Sequence, residues 1–88
     1  MNRFIALKDL RQIPGVGKRV AEDLYELGYR SVSELKGDNP QKMYDRLCKL
    51  QGVKVDRCML YTFRCAVYFA SHKKHDPEKL LWWNHMDK

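Results

Sequence analysis

Residues 13–21 read Ile-Pro-Gly-Val-Gly-Lys-Arg-Val-Ala, and no other stretch limits the fold as strongly. The residue before a proline is biased out of the helical region, so a helix beginning near Arg3 has to stop by about Arg11. Gly15 and Gly17 permit a tight turn, and Lys18 and Arg19 open a second helix that runs to about Leu27. Gly28 is placed as the left-handed cap of that helix. The pattern predicts two short helices joined by a compact hairpin. Phe4, Leu7 and Leu10 or Arg11 supply the inward face of the first helix, and Val20 or Ala21, Leu24 and Leu27 that of the second.

The remaining punctuation is also helical. Ser31-Val32-Ser33-Glu34 reads as a capping box, in which the Ser31 hydroxyl and Glu34 carboxylate satisfy reciprocal backbone donors, and predicts a short third helix ending at Gly37. Asn39-Pro40 places a side-chain acceptor at the cap and a proline at the first helical position, which starts a fourth helix running to about Leu50. From about Val55 to Ser71 the chain carries only Asp56, Arg57 and Arg64 as charges. A helix apolar on nearly every face is surrounded, either at the centre of the domain or in a dimer interface. Asp76-Pro77 starts a final short helix bearing Leu80, Leu81, Trp82 and Trp83. No stretch alternates with a period of two, so the fold class is all-α: five helices over residues 1–75 and a short C-terminal extension, 76–88, packing on them.

Eighty-eight residues allow one small domain, and 44% apolar with 32% charged residues suits a globular chain rather than a disordered one. The longest uncharged run, Cys65 to His72, is too short to span a membrane, and no signal peptide is evident. Cys48, Cys58 and Cys65 are odd in number and lie in apolar helical pattern, which fits a reduced cytoplasm and buried small side chains better than disulfides. Cys58, Cys65 and His72 recur every seven residues, but seven helical residues rise about 10.5 Å, too far for two of them to share a zinc ion. No metal and no cofactor is expected.

The chemistry is concentrated in the hairpin. Its glycines leave the backbone open to close approach, and the first N–H groups of the following helix lack internal partners at the positive end of the helix dipole. The amides from Gly15 to Arg19 form a cradle for a phosphate oxygen, with Lys18 and Arg19 adding full charges and Val16 packing inward. The stretch Ile13 to Gly28 resembles the helix-hairpin-helix motif of DNA-repair and replication proteins. A shift of 37 residues lays Gly15 on Gly52, Ile13 on Leu50, Val16 on Val53 and Ala21 on Cys58. That repeat predicts a double helix-hairpin-helix, SAM-like bundle with hairpins near 13–18 and 51–56, facing two strands across a minor groove. In the second copy Lys54 replaces the second glycine, and Asp56 competes with phosphate for the same amides. The expected DNA-binding residues are Gly15, Val16, Gly17, Lys18 and Arg19, joined more weakly by Gly52, Lys54 and Arg57.

Most of the chain also resembles a family of small bacterial proteins labelled pathogenicity-locus or mitomycin-resistance proteins. The resemblance is carried by Ile13 to Gly28, Leu50-Gln51-Gly52-Val53, Asp56-Arg57-Cys58, Tyr61 to Ala70 and Leu81-Trp82-Trp83. It implies the double-hairpin fold and a DNA-binding role.

The net charge of +6 favours a polyanionic partner. Residues 1–37 carry +2, residues 38–75 carry +5 and residues 76–88 carry −1, so the better hairpin sits in the less basic half. Arg57 and Arg64, seven apart, suggest either a phosphate track or salt bridges to Asp45 or Asp56. Tyr61, Phe63, Tyr68 and Phe69 read as core rather than base-stacking groups. One of Trp82 and Trp83 is expected against the core, and His72, His75 and His85 are expected in solvent. No catalytic set emerges, and a Schiff-base role for Lys18 lacks a base-recognition pocket. The expected function is sequence-independent DNA binding through backbone phosphates, in repair, recombination or stress response, in the cytoplasm and away from membranes. The alternative is a protein-interaction or homodimerisation module using the 55–71 helix and the Trp82-Trp83 tail.

Overall fold

A computed structural model describes residues 2–86, apart from the side chain of Trp82. Four α-helices and three 3₁₀ turns follow one another: α1 (Arg3–Leu10), α2 (Lys18–Glu26), a turn at Val32–Leu35, α3 (Pro40–Gln51), α4 (Cys58–Ser71), and turns at Pro77–Leu80 and Trp82–His85. No strand occurs among the described residues, so the chain is all-α. The expected third helix and the C-terminal helix are 3₁₀ turns.

Local chemistry sets most boundaries. Asn2 caps α1 by accepting the Ile5 N–H at 2.9 Å. Helix α2 ends in a Schellman motif: the Tyr29 N–H reaches the Leu24 carbonyl, the Gly28 N–H reaches that of Tyr25, and Gly28 takes φ +104°. Asn39 Oδ1 accepts from the N–H groups of Gln41 and Lys42, with Pro40 at the first position of α3, and Gly52 closes that helix at φ +71°. The capping box at Ser31 forms only in part. Glu34 accepts from the Arg30 N–H, the Ser31 hydroxyl meets that of Ser33, and the Val32 N–H donates instead to Asp9 Oδ2 at 2.7 Å. A carboxylate 23 residues away thus takes the place of the local cap.

Helix α4 begins at Cys58, three residues later than the apolar run suggests. Val55 is bound to α3 instead, its N–H directed at Cys48 Sγ and its carbonyl accepting from the Tyr44 hydroxyl. Helix α1 packs on α2 and α3 on α4, while α4 also carries the Val32–Leu35 turn and both C-terminal turns. It is therefore the central helix, with Leu60, Tyr61, Phe63, Cys65 and Ala66 buried. The core joins these to Leu10, Ile13, Leu24, Leu35, Met43 and Leu47.

Phe4 does not face inward. Helix α1 buries Ala6 and Leu10, and Phe4, two residues or about 200° from Ala6, is 74% exposed. The C-terminal segment is tied to α4 by polar contacts. Cys65 Sγ donates to the Leu80 carbonyl at 3.2 Å, Arg64 donates to the His85 carbonyl at 2.7 Å, and His85 Nε2 donates to that of Lys79. His75 stacks on Phe69 and donates to its carbonyl, so His75 and His85 are half-buried fasteners rather than solvated groups. Trp83 is half-exposed, and the side chain of Trp82 lies outside the described residues. No described helix is long and apolar enough to cross a membrane.

Candidate nucleic-acid interface

The first hairpin holds its amides open. After α1 the chain folds through Gln12 N–H to Asp9, Ile13 N–H to Leu10 and Val16 N–H to Ile13 bonds, with Gly15 at φ +83°. Ile13 and Val16 are buried beneath the turn and fix its shape. Gly17 is the N-cap of α2, in extended conformation, with no side-chain cap and no acidic residue in the first helical turn. Among the described residues, no acceptor meets the N–H groups of Gly15, Gly17, Lys18, Arg19 or Val20; the first helical bond is Ala21 N–H to the Gly17 carbonyl. A β-carbon on Gly17 would find nothing within 4 Å, so the approach is clear. Lys18 and Arg19 are exposed beside it.

The opposite end of α2 is neutralised. Arg30 donates to the Tyr25 carbonyl at 2.9 Å with its guanidinium 3.8 Å from the Tyr25 ring centre, and Arg46 donates to the Leu27 carbonyl. Cations at the C-terminal carbonyls satisfy the negative end of the dipole and leave the positive end, at Gly17, as the unpaired one. Asp23, one turn further along, is buried and receives Gln51 Nε2 at 3.3 Å. Burial pushes its carboxyl pKa up, opposed by Arg19.

The second hairpin is built differently. Val53 is 60% exposed and Leu50 55% exposed, whereas their expected counterparts Val16 and Ile13 are buried. Cys58, matched to buried Ala21, is likewise exposed. The 37-residue repeat holds for the first helices, where buried Ala6 and Leu10 fall on buried Met43 and Leu47. For the second helices the register is 39: Ala21, Leu24 and Leu27 fall on Leu60, Phe63 and Ala66, all buried. Two extra residues in the second hairpin account for the slip. Gly52 is then the cap of α3 rather than a cradle glycine, half-buried Val55 takes the place of Val16, and Asp56 stands where Gly17 stands.

Asp56 Oδ1 accepts the Cys58 N–H at 2.8 Å, and the Met59 and Tyr61 amides are bonded to the Asp56 and Arg57 carbonyls. The Cys58 backbone N–H and then its thiol hold the Asp56 carboxyl below the usual carboxylate range, while Asp56 pushes the Cys58 thiol up. Arg57 Nε lies 3.4 Å from the Tyr61 hydroxyl, and Arg57 and Arg64 both lie over the Tyr61 ring. The two arginines therefore share an aromatic ring, and Arg64 also holds the tail. Lys54 is exposed.

The expected residues separate into two groups. Gly15, Gly17, Lys18 and Arg19 form one continuous surface, and Val16 lies buried beneath it. Arg19 also lines a groove of about 500 Å³ with Gln51, Val53, Asp56 and Cys58, which sets the two hairpins side by side. On the other flank, Lys18 lines a groove of about 490 Å³ with Phe4, Leu7, Lys8 and Arg11. Sequence periodicity misses that second groove because it assigns Phe4 to the core.

A family model described as pathogenicity locus matches residues 4–88. The chain is 29% identical over 77 residues to a mitomycin resistance protein, McrB, of Streptomyces lavendulae, across 88% of this chain and 70% of that protein. It is 37% identical over 54 residues to a DNA polymerase IV of Shewanella sp. (strain W3-18-1), across 61% of this chain and 15% of the polymerase. No solved structure matches the chain.

Proposed function

This chain belongs to the pathogenicity-locus family, and from that premise we propose that it binds DNA without sequence preference, as a binding protein rather than an enzyme. The observation that carries the reading is the open turn from Gly15 to Val20, in which every amide but that of Val16 lacks a partner among the described residues, with two flanking cations and no carboxylate in the first helical turn. A phosphate oxygen is the ligand such a turn accommodates, because it accepts several N–H bonds at once and carries the charge the dipole favours. The α1–α2 and α3–α4 pairs are read as the two halves of a double helix-hairpin-helix. The first leaves the leading amides of its second helix open among the described residues, whereas in the second Asp56 takes the Cys58 N–H, and that hairpin contributes charge through Lys54 and the basic 38–75 segment. The match to part of a DNA polymerase IV favours a polynucleotide over a small anion.

Backbone-phosphate binding predicts a steep dependence on salt. With three phosphates neutralised, the log–log slope is about −2.7, or roughly 40-fold weaker binding from 50 to 200 mM salt, around an affinity on the order of micromolar. Fluorescence-anisotropy titration of a labelled duplex at several salt concentrations measures this. Lys18→Glu should weaken binding and flatten the slope by about 0.9. Absence of binding below about 100 μM in low salt, or an unchanged slope in the variant, overturns the proposal.

A further inference from the structure

Phe4, Leu7, Lys8, Arg11 and Lys18 line the groove on the α1 flank of the first hairpin. Phe4 presents most of its ring to solvent, and it takes part in no ring or cation contact among the described residues. Leu7 forms a half-buried floor behind it. Three of its lining residues, Lys8, Arg11 and Lys18, are cations, none is acidic, and none of the three is in an ion pair among the described residues. Lys18 belongs both to this groove and to the first turn of α2, so the groove runs directly into the phosphate cradle. An exposed aromatic face in a groove lined by three cations, next to a candidate anion site, fits a flat heterocycle attached to a phosphodiester chain.

We propose that this groove seats an unpaired nucleobase, stacked on Phe4, next to the phosphate held by the hairpin, and so directs the protein to single-stranded overhangs and segments. The proposal rests on the DNA-binding reading above and adds the class of DNA. A base stacked within a duplex offers no free face to Phe4, whereas an unpaired one stacks there while Lys8 and Arg11 meet its flanking phosphates. A second copy of this chain is the poorer occupant, since face-to-face pairing sets the three cations of one copy against those of the other.

The test is anisotropy titration with a blunt duplex and with the same duplex carrying a short oligothymidine overhang, 3′ or 5′. Wild type should prefer at least one overhang over the blunt duplex by about fivefold or more, the scale of one base–aromatic stack. Phe4→Ala should bring that preference close to parity while blunt-duplex affinity stays within about twofold. Phe4→Trp should keep the preference, and Phe4→Leu should lose most of it, which separates stacking from mere apolar contact. Phe4 is exposed, so these variants keep the fold, and their melting curves should overlay wild type. Wild type binding both duplexes equally, Phe4→Leu keeping the preference, or Phe4→Ala weakening blunt and overhang binding alike overturns the stacking seat and leaves the hairpin reading intact. Failure of every DNA to bind overturns both. Light scattering that shows a dimer abolished by Phe4→Ala would assign the groove to self-association instead.

Discussion

The two hairpins of this molecule share a skeleton and differ in what they do with a helix N-terminus. In both, a helix ends, the chain reverses, and a second helix begins over buried apolar residues. At the first, Gly17 caps α2 with nothing but backbone, and the leading amides stay open. At the second, Asp56 occupies the equivalent place and its carboxylate accepts the Cys58 N–H. An unsatisfied helix start is normally a small liability that a polar side chain removes. Leaving it unsatisfied at one hairpin, where no side chain blocks access, is what a ligand site requires. The same element with its own anion installed is a structural corner.

The comparison depends on the 39-residue register of the second helices, and the largest expected effects test that register. Val16→Ser removes a buried side chain and introduces a hydroxyl under the turn, at a cost of about 2–3 kcal/mol, or a melting temperature lower by roughly 10 °C or more. Val53→Ser at an exposed position should stay within about 0.5 kcal/mol of wild type. Val55→Ser should fall between them. If Val53→Ser proves as damaging as Val16→Ser, the 37-residue register holds through the second hairpin and Asp56 loses its equivalence to Gly17.

Next in size is the conversion of the first hairpin into a copy of the second. Gly17→Asp fits without strain, because Gly17 is already extended and a β-carbon meets nothing. The new carboxylate should cap α2 and raise stability by a few tenths of a kcal/mol, about 1–3 °C in melting temperature. The same carboxylate takes the amides proposed for phosphate and should weaken DNA binding by about tenfold or more. Stability and binding then move in opposite directions, which simple unfolding cannot produce. A variant that melts higher and binds DNA as well as wild type would break the link between the open amides and the function. The reverse exchange, Asp56→Gly, should lower the melting temperature and tighten DNA binding by a few-fold.

What was legible in the chain beforehand follows from this contrast. Breaks written in local chemistry are where the sequence puts them: Pro14 ends the first helix, Gly28 takes a left-handed cap, and Asn39-Pro40 starts α3. Those outcomes depend on one residue and its immediate neighbours. The features that escaped depend on partners far along the chain. Asp9 replaces the local cap of the Val32–Leu35 turn, Val55 is drawn onto Tyr44 and Cys48 and delays α4, and Arg64 turns to the tail rather than to Asp45 or Asp56. Periodicity places Phe4 inward, but the eight-residue helix buries only the narrow face of Ala6 and Leu10. Of the first hairpin, the turn at Gly15, the inward Val16 and the helix start at Lys18 are where the sequence puts them. The groove beside it was not legible, because it exists only where Phe4 fails to be core.

The smallest effects concern pH, and they set the two helices that follow the hairpins against each other. In α2, Asp23 is buried and its carboxyl pKa is raised, so the charged form is disfavoured by the fold at neutral pH. In α4, the residue in register with Asp23 is buried Thr62, which does not titrate in this range and donates its hydroxyl to the Cys58 carbonyl at 2.9 Å. The titrating group at the start of that helix is Asp56, whose pKa is lowered. A raised carboxyl is a burden above its folded pKa that is relieved as acidification protonates it. A lowered carboxyl contributes stability that is present at neutral pH and is lost as the pH falls below about 4, the unfolded value, through the folded pKa. Asp23→Asn should therefore raise the melting temperature at pH 7, and its advantage should shrink as the pH falls toward the ordinary carboxylate range. Asp56→Asn should do the opposite: its deficit against wild type should be constant from pH 7 to about 5 and should narrow below about pH 4. Melting curves of the three proteins across that range decide the matter. Parallel pH profiles would mean that neither carboxylate is tuned by its hairpin, and the asymmetry between the two turns would then be one of shape alone.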